Sequence, residues 1–368
     1  MLEADAATQA GQMLAVCNAC RYCEQYCPVF PAMERRTAFP TADLHYLANL
    51  CHNCGECLYA CQYAPPHPFG VNLPRALAAV RAESYEQYCW PRPLAVAFRR
   101  QGGAVALGLT VVFTALLWIG AGLSGPTGPA QRPGDFYAVM PHDVMVGLFG
   151  FVFLIAAASL GISLVRYWQA IRGARLDTIA GGTWISALRE AVTLRHLHGG
   201  GVDCASALDE RVPWRRWAHH ATLGGFALCL ASTTVAAIYH SVFGWTAPHG
   251  YLSAPVLLGA IGGAGLVAGP LGLLASRARR DPLLGDPAQR GLDTSLLVLL
   301  LVTSATGLAL LMLRHTTTMR PLLFLHLGAV LAFFVTIPYS KFVHGFYRAL
   351  ALVQSQHESR REVIRALF

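Results

Sequence analysis

Two runs of cysteine near the start of this chain share one spacing. Cys17, Cys20, Cys23 and Cys27, followed by Pro28, recur 34 residues later as Cys51, Cys54, Cys57 and Cys61. A repeat in which every cysteine has its counterpart is one unit used twice. Thiolates at every third residue are soft ligands that a short loop can turn inward around one cuboidal cluster, a demand few other ligands make. The rivals are disulfides and structural zinc, which usually takes two CxxC pairs well apart in sequence with four sulfurs per ion. Two compact runs in register fit both poorly. Cys89, Cys204 and Cys229 stand outside the runs and read as small buried hydrophobes.

Bacterial ferredoxins hold two 4Fe–4S clusters with C-x2-C-x2-C-x3-C-P, the fourth cysteine of each run ligating the other cluster. By that pattern Cys17, Cys20, Cys23 and Cys61 hold one cluster, and Cys51, Cys54, Cys57 and Cys27 the other. The second run departs from it by ending in Gln62 instead of proline, with Pro65 and Pro66 nearby. That changes the backbone expected after Cys61, not the number of ligands.

Something must position these thiols, and composition divides the chain accordingly. Hydrophobic residues make up 54 % and charged residues 13 % of the whole, and the mean hydropathy is +0.43, too apolar for an ordinary soluble protein. Residues 1 to 92 are nonetheless polar and cysteine-rich, so the excess lies in residues 93 to 368. There, six segments reach the length of about 20 residues that crosses a bilayer. They run near Ala104 to Leu123, Val144 to Tyr167, Ala221 to Tyr239, Pro255 to Ser276, Thr294 to Leu313 and Leu322 to Val343. The expected fold is mainly α, a ferredoxin-like module followed by a six-helix membrane bundle.

Arginine and lysine set the orientation, because cytoplasmic loops retain them. Arg99 and Arg100 precede the first span, the segment between the second and third carries eight arginines from Arg166 to Arg216, and Arg277, Arg279, Arg280 and Arg290 lie between the fourth and fifth. Arg348, Arg360, Arg361 and Arg365 follow the sixth, while the opposite loops hold only Arg132, Arg314 and Arg320. Both termini are therefore expected on the cytoplasmic side of a bacterial inner membrane. The opening MLEADAATQA lacks the basic start and apolar stretch of a cleavable leader, so the N-terminal module should stay where it is made. The net charge of +8 is spread over every inner loop without an aromatic platform, which makes nucleic acid an unfit partner.

Histidines in the apolar half suggest where electrons from the clusters would go, since imidazole is an axial ligand of haem and ionisable groups inside a membrane are seldom idle. His326 and His344 bracket the last expected span, 18 residues apart, which is five turns or about 27 Å along one face. The third span runs antiparallel to it with His219 and His220 at its inner end and His240 at its outer end. One of the inner pair can meet His344, and His240 can meet His326, so one or two haems fit. His219 shares a face with His240 more nearly than His220 does, which favours it if both haems exist; with the inner haem alone, either serves. His142, His249 and His315 read as outer-loop residues, although His142 could replace His240. Lys341 and Arg348 flank His344 as propionate partners or, more simply, as cationic anchors, and Trp214, Trp217 and Trp245 fit an interfacial belt. Residues 170 to 214 are too polar to span and should lie amphipathically on the surface, where their arginines could dock an acidic flavoprotein.

The stretch IPYSKFVHGFYR around His344 resembles the last haem-binding helix of nitrate reductase gamma-type cytochrome b subunits. That family has a second histidine ten residues into its other haem helix, a place held here by Leu230. More extensively, CHNCGECLYACQYAPPH at Cys51 to His67, LHGGGVDC at Leu197 to Cys204, RRWAHHATLGGFALCLASTTVAAIYH at Arg215 to His240 and SKFVHGFYR at Ser340 to Arg348 resemble the tricarballylate- or citrate-utilisation protein B family. The resemblance implies an electron acceptor for a separate FAD-dependent dehydrogenase that oxidises tricarballylate, passing electrons into the membrane. The residues agree in form: no GxGxxG follows a strand, no P-loop occurs, and Gly199 to Gly201 lack a βαβ frame, so the chain should receive electrons from another protein. Quinone is the economical end point. Cobalamin ring contraction with a different flavoprotein, and a redox-sensing membrane protein, are the alternative roles; a transporter would want broken helices or acidic residues at mid-membrane.

Overall fold

A computed structural model describes residues 5–124, 134–171, 173–175, 178–195, 197, 214–286 and 289–367. Cys204, Gly199 to Gly201, Arg132, Arg172 and Arg211 lie outside them. Among the described residues the chain is helical, with no strand.

Five helices build the N-terminal module: α1 (Ala6–Cys20), α2 (Val29–Glu34), α3 (Thr41–Leu50), α4 (Glu56–Tyr59) and α5 (Leu73–Tyr88). Helix α5 starts where the Asn72 side chain accepts a hydrogen bond from the Arg75 N–H, satisfying one of the amides that a helix start leaves open. Leu14, Met33, Leu47, Leu50 and Leu77 close its centre, each fully buried and each contributing about 2 kcal/mol.

Among the described residues, six helices are long and apolar enough to cross a membrane: α6 (Arg92–Ser124), α7 (His142–Ala170), α9 (Trp214–Ser241), α10 (Ala254–Ala278), α11 (Arg290–Leu313) and α12 (Met319–Thr336). Leu107, Val111 and Leu116 of α6 and Phe151 and Leu154 of α7 turn outward, a surface that suits lipid and not water. The chain is thus a multi-pass membrane protein. Helix α6 takes in the polar run from Arg92 and bends at Gln101 (φ −137°) before its apolar stretch. Between α7 and α9, helix α8 (Gly181–Thr193) buries Thr183 and Ala187 and exposes Trp184, Ile185, Leu188 and Val192, the two faces of an amphipathic surface helix.

Helices α9 and α10 touch backbone to backbone. A Cβ on Gly225 would stand 2.7 Å from Gly262 O, and one on Gly262 would stand 2.8 Å from Cys229 N. Small residues permit this close approach where lipid offers no hydrophobic drive for helix pairing.

The last expected span is corrected. Helix α12 ends at Thr336 rather than continuing to Val343, and Thr336 O is taken up by the N–H groups of Tyr339 and Ser340 at 3.1 and 2.9 Å. Pro338 supplies the reason, since proline has no N–H with which to extend the ladder and its ring crowds the preceding turn, so the helix stops there even though Ile337 keeps helical angles. A new helix, α13 (His344–Leu367), starts at His344. His326 and His344 therefore do not share one helix face. Helix α13 leaves the bundle and packs on α3 and α8. Its Tyr347 and Leu352 join Leu14, Leu47 and Tyr167 of α7 in one continuous core, and Glu358 receives Arg36 at 3.0 Å and the Tyr46 hydroxyl at 3.2 Å.

Candidate functional site

The cysteine runs are delivered by helix ends and tight turns. Cys17 and Cys20 occupy the last turn of α1, so the turn that bends the thiols inward begins only after them, where Arg21 adopts a left-handed conformation (φ 56°). Cys51 follows α3, Asn53 (φ 55°) and Gly55 (φ 96°) reverse the chain, and Cys57 lies in α4. A Cβ on Gly55 would meet Leu284 Cδ2 at 2.7 Å, so glycine serves both the backbone angle and the close packing.

Two cavities result. Cys17, Cys20, Cys23, Cys57 and Cys61 line the first, about 280 Å³. Cys27, Cys51, Cys54 and Cys57 line the second, tighter at about 20 Å³. Each joins three cysteines of one run to the fourth of the other, and Cys57 borders both. Among the described residues no three His, Cys, Asp or Glu converge as a lone metal ion requires; the thiols instead surround a space, the arrangement a cuboidal cluster needs. Burial and then the neighbouring Cys61, Cys23 and Cys20 push the Cys17 thiol up to about 12. Burial and Cys51 and Cys54 likewise raise Cys27. Crowded thiols of this kind lose their protons when they take iron. Cys89 is buried with its thiol 3.4 Å from Pro338 O, and Cys229 lies on the seam with α10.

At the end of the bundle that carries this module, His219 of α9 faces His344, ring centroids 5.9 Å apart at 72°. His344 Nδ1 lies 2.5 Å from Lys341 O, which fixes the proton there and leaves Nε2 as the ligating nitrogen. Burial, then the adjacent His219 and Lys341, push His344 down to about 3, so it stays neutral. His219 Nδ1 is buried with no hydrogen-bond partner among the described residues. His220 turns the other way, its Nε2 3.0 Å from Val192 O of α8. The two imidazoles, facing each other with one unpartnered nitrogen, are a donor set that would suit a haem iron, which His219 and His344 would hold between them.

At the far end the expected pairing of His240 with His326 does not form. His240 stacks on His142, centroids 3.6 Å apart and planes 17° apart, with Tyr137 beside both. His326 turns to α11 instead, its Nδ1 3.1 Å from both Thr303 O and Thr306 Oγ1. The break at Pro338 means that the facing of His326 does not follow from that of His344. His249 and His315 stand in the far-end loops beside Tyr239 and Tyr251, and Trp214, Trp217 and Trp245 are exposed as an interfacial belt requires.

Neither cation beside His344 is a lipid anchor. Lys341 Nζ is 2.5 Å from Asp293 Oδ1, and Arg277 approaches Oδ2 of the same carboxylate at 3.3 Å. Arg348, one turn beyond His344, donates to Leu50 O at 2.9 Å, and its Nη2 lies 2.5 Å from His52 Nδ1. Sequence reasoning missed His52 and Asp293. The only trace of either was the CHNC spacing for His52, and for Asp293 an acidic residue at the start of an apolar span.

A family model described as citrate utilization protein B matches residues 100–364, and one described as its Fer4-like domain matches residues 10–97. The name of the latter points to iron–sulfur clusters. Citrate utilization protein B of Escherichia coli is 46 % identical over 353 residues, covering 95 % of this chain and 92 % of that protein. No solved structure matches. Matched along both its module and its membrane helices, the chain belongs to the citrate utilization protein B family.

Proposed function

We propose that this protein carries electrons from a reduced cytoplasmic FAD-dependent dehydrogenase, of the kind that acts on tricarballylate, to the quinone pool of the bacterial inner membrane. Two 4Fe–4S clusters and haem b supply one-electron chemistry when bound. Cys17, Cys20, Cys23 and Cys61 hold the cluster that receives, and Cys27, Cys51, Cys54 and Cys57 hold the one that hands on. His219 and His344 hold the haem. The observation that carries this reading is the continuity of Cys51, His52, Arg348 and His344: Arg348 binds the loop of the second thiol set one turn away from the histidine. Dihydroflavin gives up two electrons and two protons, quinone takes up the same, and the chain moves the electrons singly. The N-terminal module and both chain ends face the cytoplasm, as the arginine distribution favours.

Stopped-flow spectroscopy of the holoprotein in membranes tests it. After mixing with reduced dehydrogenase, the cluster absorbance should bleach before the haem is reduced, and quinone should reoxidise both. Haem that stays oxidised while flavin and clusters are reduced defeats the reading and leaves a redox sensor, as does dehydrogenase turnover equally fast in membranes lacking the protein. Efficient coupling to a ring-contraction flavoprotein instead would transfer the assignment to that partner.

A further inference from the structure

The second thiol set sits inside a collar of arginines. Arg81 of α5 donates to Cys51 O at 2.7 Å, and Arg348 of α13 binds Leu50 O and His52. Arg280, just beyond α10, donates to Asn53 Oδ1 at 2.9 Å and to Asn53 O. Arg215, in the first turn of α9, reaches Asn53 O at 3.4 Å. Four guanidinium groups from four elements converge on four consecutive residues that include a cluster cysteine.

Buried arginines are ordinarily matched by carboxylates. The hydrogen bonds of Arg81, Arg280 and Arg348 end instead on carbonyl, amide and imidazole acceptors. Burial, and then Arg215 and Arg81, pull Arg280 down to about 9, the mark of cations crowding one another. Three carboxylates stand near: Glu56 bears on Cys54, Glu190 on Arg348, and Asp293, engaged by Lys341 and Arg277, on Arg280 and Arg81. The thiolate-ligated cluster would add an anion at the residues on which the four guanidinium groups converge. Arg348 bears on Cys27 and Arg215 on Cys54 of this set, whereas among the described residues the charges that bear most on Cys17 of the first set are those of three other cysteines.

We propose that Arg81, Arg215, Arg280 and Arg348 hold the cluster of Cys27, Cys51, Cys54 and Cys57 at a higher reduction potential than the cluster of Cys17, Cys20, Cys23 and Cys61. Reduction adds one negative charge to a cluster, and fixed cations in a water-poor surround favour that state. One electron then passes downhill from the first cluster to the second, with no bond made or broken, and arrives beside His344. The inference rests on the two-cluster assignment above.

Redox titration of the anaerobically purified full-length protein, followed by electron paramagnetic resonance, tests it. The wild type should show two cluster reduction steps, and Cys61→Ser, which damages the first cluster, should leave the higher one. Arg280→Gln and Arg81→Gln should each shift the higher step negative by about tenfold in the reduced-to-oxidised ratio, about 59 mV for one electron. Arg280→Lys should recover most of that shift, because it keeps the charge and loses only the fork. A purely docking role predicts unmoved potentials, and that result, or equal shifts of both steps, overturns the proposal. So does a lower step surviving in Cys61→Ser. Non-haem iron and sulfide near four per chain in the wild type would instead remove the two-cluster assignment, and the ordering with it.

Discussion

His219 and His344 present their rings to each other at 5.9 Å, although one lies in the second turn of a membrane helix and the other is the first residue of a helix that does not span. The pair is made by a chain break, not by two parallel histidine ladders. His344→Ala and His219→Ala should each abolish haem binding, measured as pyridine haemochrome, because a bis-histidine iron loses an axial ligand. His220→Ala should retain haem, since that ring is tied to Val192. Full haem content in both His344→Ala and His219→Ala would sink the assignment.

One haem per chain is expected. Parallel rings 3.6 Å apart at His142 and His240 leave no room for a macrocycle between them, and His326 is committed to α11. Haem content should therefore be unchanged in His240→Ala and His326→Ala. A wild-type ratio of two, falling to one in either variant, contradicts this.

Because each cavity mixes the runs, Cys27→Ser and Cys51→Ser should cost the same cluster. Non-haem iron should fall from about eight to about four per chain in either variant and fall no further in the double variant. Cys17→Ser combined with Cys27→Ser should lose both. The opposite pattern of additivity would show clusters confined to single runs.

The glycine seam should matter to the haem at a distance. Gly225→Leu forces α9 away from Gly262 O, 2.7 Å from the added Cβ, and α9 carries His219. Overpacking of this kind costs about 1–3 kcal/mol or more, and haem content should drop while iron and sulfide hold. Loss of clusters with haem intact would refute the link.

Acid should weaken the N-terminal module through His45. Burial holds this histidine down at about 4, beside the Tyr88 hydroxyl at 2.7 Å. Its folded value lies below the ordinary value of about 6.5, so the unfolded chain binds the proton first. Stability is therefore complete above pH 6.5 and falls between 6.5 and 4, by up to about 3 kcal/mol. His45→Gln should flatten that loss in thermal melts of the cluster absorbance; an identical pH slope in the variant would exclude His45 as the cause.

The cysteine sets and the six apolar helices were legible because both are local signals, a fixed spacing and a length of hydropathy. The approach of His219 to His344 agrees with the inner pairing expected from the sequence, but the partners of His240 and His326 were not legible. Pro338 was visible, but an unbroken apolar stretch on either side outweighed it, and the face of His326 was counted through a break. Arg280 and Arg348 were counted as topology signals, whereas their positions are set by contacts 227 and 298 residues away in sequence, to Asn53 and Leu50. Positive charge in inner loops has two causes here, and spacing does not separate them.

Glu358 ties the chain's end to Arg36 and Tyr46 near its beginning. Ribosomes release Arg36 long before Glu358, and all six membrane helices are made in between. The N-terminal module therefore gains its contacts with α13 last although it is synthesised first, and truncation of the final helix would uncover α3.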